Sequence, residues 1–353
     1  MSESTQPCAA EVEQCSPAPA RVNSLWFDDG NIILVAEGFK FRVHKSMLAK
    51  SSPVFRDLFT VPQPTGPCCK DKDSLPVVNM PDNGLHLLYL LKAIYDRAFF
   101  GHNTLTATSV EIAIGIVSLA HKYDMRYLYA DVIRRLADIF CTTFETYEAR
   151  SHQRAGLCTS PIGELPKLAK VSIPLDPVFL INMARQIRTP ELLAMLPVAF
   201  YHATSQSAES LTQGVVRNRL RAAPGTHGRE ALHPDDLRRI IAAQRKLVQV
   251  NRNATRCFHF HGAYLSPECA ARRHSGPCYK GLQLLSQGVV DAGYLGSARP
   301  LARRDDWIDD YCKKNLDGKL CKACQENIKR LHKEAREKVW NDLKKLFDLE
   351  AWP

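Results

Sequence analysis

Residues 29–59 read DGNIILVAEGFKFRVHKSMLAKSSPVFRDLF, and the order of signals in this stretch decides the fold. Asp29-Gly30-Asn31 are turn residues, and Ile32-Ile33-Leu34-Val35 is a β-branched apolar run. Glu37-Gly38 supplies a second turn. Phe39, Phe41 and Val43 then alternate with Lys40 and Arg42, the period of a strand with one buried face. Two such runs across a short Gly-containing turn predict a β-hairpin. A short helical turn through Met47 and Leu48 comes next. Ser52 is then placed as the N-cap of a new helix with Pro53 at its first position, where the missing N–H costs nothing. Val54, Phe55, Leu58 and Phe59 give that helix an apolar face.

Outward from this stretch, Val77-Val78 predicts a short strand, and Leu85–Tyr95 a very apolar helix. Residues 108–122 and 126–145 predict two more helices, the first apolar on most faces. Residues 60–75 are polar and Pro-rich and are expected to be a loop. Residues 177–204 predict two helices parted near Thr189-Pro190. A further helix is expected from Asp235 to Val250, with Leu237, Ile240, Ile241, Leu247 and Val248 on one stripe. The last helix is expected over 322–347, with Ile328, Leu331, Ala335, Val339, Leu343 and Leu346 on one face.

The 353 residues are enough for two or three domains. Residues 1–145 hold 14 Lys and Arg against 16 Asp and Glu, whereas residues 146–353 hold 33 against 21. Such an asymmetry is expected of separate domains with different partners. Met1–Ala20 has neither a basic start nor an apolar core, so no export signal is read there. It has the composition of a disordered tail. Twelve Cys without such a signal suggest thiols or metal ligands in a reducing, intracellular compartment, cytoplasmic or nuclear. No apolar run reaches the ~20 residues that cross a bilayer.

The segments Asp29–Val35, Phe41–Leu48 and Ser51–Phe59, followed by Leu119-Ala120-His121-Lys122-Tyr123-Asp124-Met125, resemble the BTB/POZ domain. Its signature falls here on Asn31, His44, Ser52, Pro53, Phe55 and Tyr123. Leu193–Tyr201, and a Cys-x-x-Cys followed by a Trp-bearing helix, resemble the expanded BTB proteins of mushroom-forming fungi. The resemblance implies an α+β fold, a small sheet flanked by a helical cluster, followed by a mostly α-helical C-terminal region. It implies a structural His44 that anchors the hairpin. It also implies a protein-interaction module, scaffold or adaptor, with protein partners that include a second copy of the chain. Asn31 stands where many family members carry Asp. The hydrophobic-x-Glu motif that helps such domains bind a cullin scaffold is missing, because no Glu lies between Glu37 and Glu111. The expected organisation is a tail over 1–23, the BTB/POZ domain over 24–145 and a linker over 146–165. A helical region with a basic stretch (166–256) and a Cys/His-bearing helical region (257–353) follow. The sheet edge near Ile32–Val35 and the loop 60–75 are the expected docking surfaces.

The chain carries no nucleophile elbow, phosphate loop, dinucleotide fingerprint or His-Glu-x-x-His, so no catalysis, small-molecule substrate or organic cofactor is expected. Cys257, His259, His261, Cys269, His274 and Cys278 lie in one stretch, with Cys312, Cys321 and Cys324 beyond it. Cys321-x-x-Cys324 at a helix start is a zinc half-site, which Cys269 and Cys278 would complete to the four ligands of a structural ion. The competing reading is reduced Cys packed as small hydrophobes. Residues 217–256 hold ten Lys and Arg against three acids. Arg217, Arg219, Arg221, Arg245 and Lys246 are thus candidate contacts for nucleic acid, in a regulator whose BTB domain assembles subunits. A solvated helix face with a flexible Arg-rich loop is the plainer reading of the same residues. Substrate adaptor of a cullin-type ubiquitin ligase is a third function.

Overall fold

The computed structural model describes residues 19–61, 75–96, 99, 107–155, 177–216, 229–259, 261–270 and 276–350. These residues divide into two compact units, one within 1–103 and 115–130, the other within 104–114 and 131–353. Arg217, Arg219, Arg221, His274 and most of the loop expected over 60–75 lie outside the described residues. No described helix is long and apolar enough to cross a membrane.

The first unit is built on a four-stranded sheet of β1 (Ala20–Trp26), β2 (Ile32–Ala36), β3 (Phe39–Val43) and β4 (Val77–Asn79), in the order β1-β3-β2-β4. The hairpin forms as expected, β2 antiparallel to β3 with Ile32 opposite Val43 and Leu34 opposite Phe41. Its turn works because Glu37 and Gly38 both take positive φ, 32° and 81°. Such a turn twists with its strands and favours Gly. Phe41 and Val43 are fully buried.

Two expectations for this region are corrected. The stretch Ile32–Val35 is not a sheet edge: β4 pairs parallel with β2, so β2 is interior. That burial on both faces is what a continuous apolar run provides, in contrast to the alternation of a half-exposed strand. The tail expected over 1–23 ends in structure, because Ala20–Asn23 belong to β1, which pairs parallel with β3. Leu25 is its one fully buried side chain, so the strand lacks the alternation that marks a core-facing one.

The helices of this unit are α1 (Lys45–Ser51), α2 (Pro53–Thr60), α3 (Gly84–Tyr95) and the adjoining parts of α4 (Ala107–Lys122) and α5 (Arg126–Ile139). Ser52 has the extended backbone of an N-cap and accepts the Phe55 N–H at 3.0 Å, with Pro53 at the first helical position. The single helix expected over 126–145 is two. It stops at Ile139, and α6 (Phe144–Ala155) starts afresh with the Thr143 hydroxyl accepting from Thr146 N–H at 3.3 Å. A cap of this kind diverts the chain from a continuous helix. Residues 146–155, expected in a linker, are therefore helical.

The second unit is mostly helical: α6, α7 (Pro177–Ile187), α8 (Pro190–Ala203), α9 (Ala208–Gln213), α10 (Pro234–Ala254), α11 (Pro267–Ala270), α12 (Pro277–Asp291), α13 (Asp305–Asn315), α14 (Lys322–Asn341) and α15 (Leu343–Leu346). A two-residue ladder joins β5 (Val215–Val216) to β6 (Arg229–Glu230). The break at Thr189-Pro190 falls where the sequence places it. The chain as a whole is α+β, a small mixed sheet with helices followed by a mostly helical region.

Buried stripes differ from the expected ones in detail. On α10 the buried positions are Asp236, Ile240, Ala243, Leu247, Asn251 and Ala254, while Ile241 is exposed. Asp236 can face inward because Arg185 forks onto it at 2.8 and 3.0 Å. On α14 the buried face is Cys324, Ile328, His332, Arg336 and Val339. Leu331 and Ala335 are only half-buried, because the stripe passes through two polar residues that have interior neighbours.

Candidate functional site

The signature residues of the first unit converge on its interior. The Ser52 hydroxyl, besides capping α2, donates to the Tyr123 carbonyl at 2.5 Å. Phe55 is fully buried and stacks on Tyr123 with centroids 4.5 Å apart. The Tyr123 hydroxyl donates to Asp82, whose carboxylate also meets Lys122 at 2.5 Å. Burial, and the carboxylate it faces, push the Tyr123 phenol far above its ordinary value, so it stays protonated as a donor. These contacts tie α2 and the loop before α3 to the end of α4.

His44 bridges two parts of the same unit. Its Nε2 lies 3.2 Å from Asp29, and its Nδ1 lies 3.2 Å from the Tyr95 hydroxyl at the end of α3. The His44 backbone N–H also donates to that hydroxyl at 2.9 Å. Asn31 accepts the Lys45 N–H at 2.8 Å and so caps α1, which its own N-cap His44 leaves uncapped by any side chain. An amide oxygen accepts this bond as a carboxylate would, so Asn in place of Asp keeps the geometry. These residues shape the domain: their bonds hold the hairpin, the start of α1 and the end of α3 together.

Docking requires surface. β1 ends the sheet order, so among the described residues it has a paired strand on one side only. Ala20, Arg21, Asn23 and Ser24 along it are exposed. Met47, Val54 and Val61, on and just after α1 and α2, are exposed large apolar side chains. Unpaired strand edges and exposed apolar groups are the features that partner chains engage.

In the second unit, the structure brings four of the Cys/His candidates together. The sulfur atoms of Cys269, Cys278, Cys321 and Cys324 all lie within 4.8 Å of one another. Cys257 and Cys312 are packed in the adjoining core, and His259 and His261 are exposed. Cys269 sits in α11, Cys278 in the first turn of α12, and Cys321 and Cys324 at the start of α14. The Cys321 N–H donates to Cys278 Sγ at 3.3 Å, and the Ser266 N–H donates to Cys324 Sγ at 3.3 Å. Burial pushes the Cys278 thiol up to about 12. Burial acts on Cys321 in the same sense, but hydrogen bonds from the Cys324 backbone and the neighbouring thiols outweigh it and hold that thiol below its ordinary value.

Sequence reasoning missed the residue that permits this meeting. A Cβ on Gly281 would stand 2.8 Å from the Lys319 backbone. Only Gly lets the segment 319–321 lie against α12 and deliver Cys321 to Cys278. A Gly inside a helix pattern is the signal that was there to be read. Arg245 and Lys246 are both exposed on α10, away from its buried stripe.

No curated protein and no solved structure matches the chain. The BTB/POZ domain family model does match, over residues 28–137, which include β2 to β4 and nearly all of α5. Hairpin, capped Ser52-Pro53 helix and the Tyr123 cluster all fall inside that match, and residues 28–137 of this chain are a BTB/POZ domain, a protein-interaction fold.

Proposed function

We propose that the protein is a non-catalytic docking scaffold whose BTB/POZ domain takes a partner chain along the open edge of β1, the partner being a second copy or another protein. The observation that carries this reading is the position of β1, exposed and last in the sheet order. Strand addition gives affinity through backbone hydrogen bonds, and flanking side chains give selectivity. The exposed Met47, Val54 and Val61 supply apolar surface within the same unit. The resemblance to expanded BTB proteins of mushroom-forming fungi supports the same reading. A cullin-scaffold adaptor is a narrower form of it, weakened by the missing Glu after α2.

The test is affinity capture with the full chain and with Arg21→Pro. Ala20 N–H donates inward to Gly38, so the next N–H along the strand points to the open edge, and proline removes it. Loss of partners by a variant that melts like the wild type supports the reading. An unchanged partner set contradicts it.

A second reading has its own observation. Arg238, Arg245 and Arg252 are spaced by seven on α10 and are all exposed, on a helix whose other face is buried. Such a row suits a phosphate backbone, and binding would weaken steeply with salt. Retention of the full chain on a polyanion at low salt, lost in Arg245→Glu/Lys246→Glu, supports nucleic-acid binding. No retention at low salt rules it out.

A further inference from the structure

We propose that Cys269, Cys278, Cys321 and Cys324 bind one zinc ion as a closed structural site that fastens α11, α12 and α14 together. All four sulfurs lie within 4.8 Å of one another, and two of their separations match the edge of a coordination tetrahedron. With Zn–S bonds of about 2.3 Å, the edge between two sulfurs is about 3.8 Å. Cys269 Sγ lies 3.7 Å from Cys278 Sγ and 3.8 Å from Cys321 Sγ. These separations are far too long for a disulfide, and all four thiols are free.

The surroundings suit thiolates bound to a cation. Two backbone N–H groups, of Cys321 and Ser266, already point at sulfur atoms, and such outer bonds orient the ligands of metal sites. The first turns of α12 and α14, helices of 15 and 20 residues, place their positive ends at Cys278 and Cys321. Cys278 and Cys324 are buried, and Cys269 and Cys321 are half-buried beside a surface cavity that Glu268 and Tyr279 also line. The cavity is an entry path for the ion. Four soft sulfur donors at one point select zinc over magnesium or calcium, and four protein ligands leave no open position for catalysis. Sulfurs this close suit a single ion better than a cluster of two or four metals.

The position in the chain gives the ion a task. Cys278 and Cys324 are also members of the apolar core of this region, with Leu282, Leu285, Ile308 and Ile328. Metal binding at its margin fixes residues 266–270 and 276–278 against 321–324, segments that the Ser266 bonds to Cys324 and the Cys321 N–H bond to Cys278 already join.

The test is metal analysis of the full chain, purified without chelator and gel-filtered. The expected result is one zinc per chain in the wild type and in Cys312→Ala, and at least a tenfold loss in Cys321→Ser/Cys324→Ser. Cobalt titration of metal-stripped wild type covers the case in which the double variant does not fold. It is expected to saturate at one equivalent with the intense ligand-field and thiolate charge-transfer bands of tetrahedral cobalt. A wild type free of zinc and unable to bind cobalt, a double variant that retains full zinc, an octahedral cobalt spectrum, or iron in place of zinc would each overturn the proposal.

Discussion

Arg336, fully buried on α14, forks onto Glu148 of α6 with bonds of 2.5 and 2.9 Å, joining residues 188 positions apart in the chain. Arg303 lies 3.9 Å from the same carboxylate. Burial acts to raise the Glu148 carboxyl, but the bonds and charge of Arg336 outweigh it and hold the group below its ordinary value. Removing one partner from a buried pair strands the other charge, at a cost of about 3–5 kcal/mol. Glu148→Ala is therefore expected to lower the unfolding free energy in urea by roughly that amount. Arg336→Met/Glu148→Leu should lose much less, since two apolar side chains strand no charge. Equal losses in the two proteins would show that the pair is not what holds α14 and α6.

A neighbouring residue sets an acid dependence. His332 is buried on α14 against Phe258, with ring centroids 4.7 Å apart. Burial, then the charges of Arg336 and Arg304, hold its imidazole well below the ordinary 6.5. Below 6.5 the unfolded chain takes up a proton that the folded chain refuses, so stability is full above that pH and falls as pH drops. His332→Met should flatten the fall in urea stability between about pH 7 and pH 5. The contribution of Glu148 lies lower, below its unfolded value near 4.5. A variant with the wild-type slope would contradict the assignment to His332.

Within the BTB/POZ domain, Ser52→Ala removes both the cap on Phe55 N–H and the bond to the Tyr123 carbonyl. The expected cost is about 1–3 kcal/mol, more than a cap alone, because a buried carbonyl loses its donor. Asn31→Asp keeps an oxygen acceptor for Lys45 N–H and is expected to change thermal stability little. A large loss in Asn31→Asp together with a small loss in Ser52→Ala would reverse the ranking of these two contacts.

Gly281→Ala tests how the α12 helix meets the segment before α14. The added methyl would press on the Lys319 backbone at 2.8 Å, and backbone has little freedom to retreat. A destabilisation of about 1–3 kcal/mol is expected, in place of the gain Ala usually brings to a helix interior. A more stable Gly281→Ala would mean that 319–321 does not lie against α12.

What the sequence disclosed follows from range. The hairpin, the Ser52-Pro53 start and the break at Thr189-Pro190 rest on neighbouring residues, and the structure places all three where the local signals lie. Elements defined by distant partners were not legible. β1 has a single fully buried side chain, so it carries no alternation to read. β2 is interior only because Val77–Asn79 returns to pair with it. His332 and Arg336 lie outside the apolar stripe expected on the last helix, and their burial is explained only by Phe258 and Glu148 beside them. Of the Cys/His candidates, the Cys-x-x-Cys pair is local, whereas the approach of Cys269 and Cys278 depends on Gly281 and on the packing of three helices.

Docking on the β1 edge is tested most directly by backbone hydrogen exchange of the full chain, alone and in complex with a captured partner. Slowed exchange at the amides of residues 20–26 in the complex is the predicted result. Unchanged exchange there, with protection confined to residues 234–254 of α10, would contradict it and move the interface to the basic half.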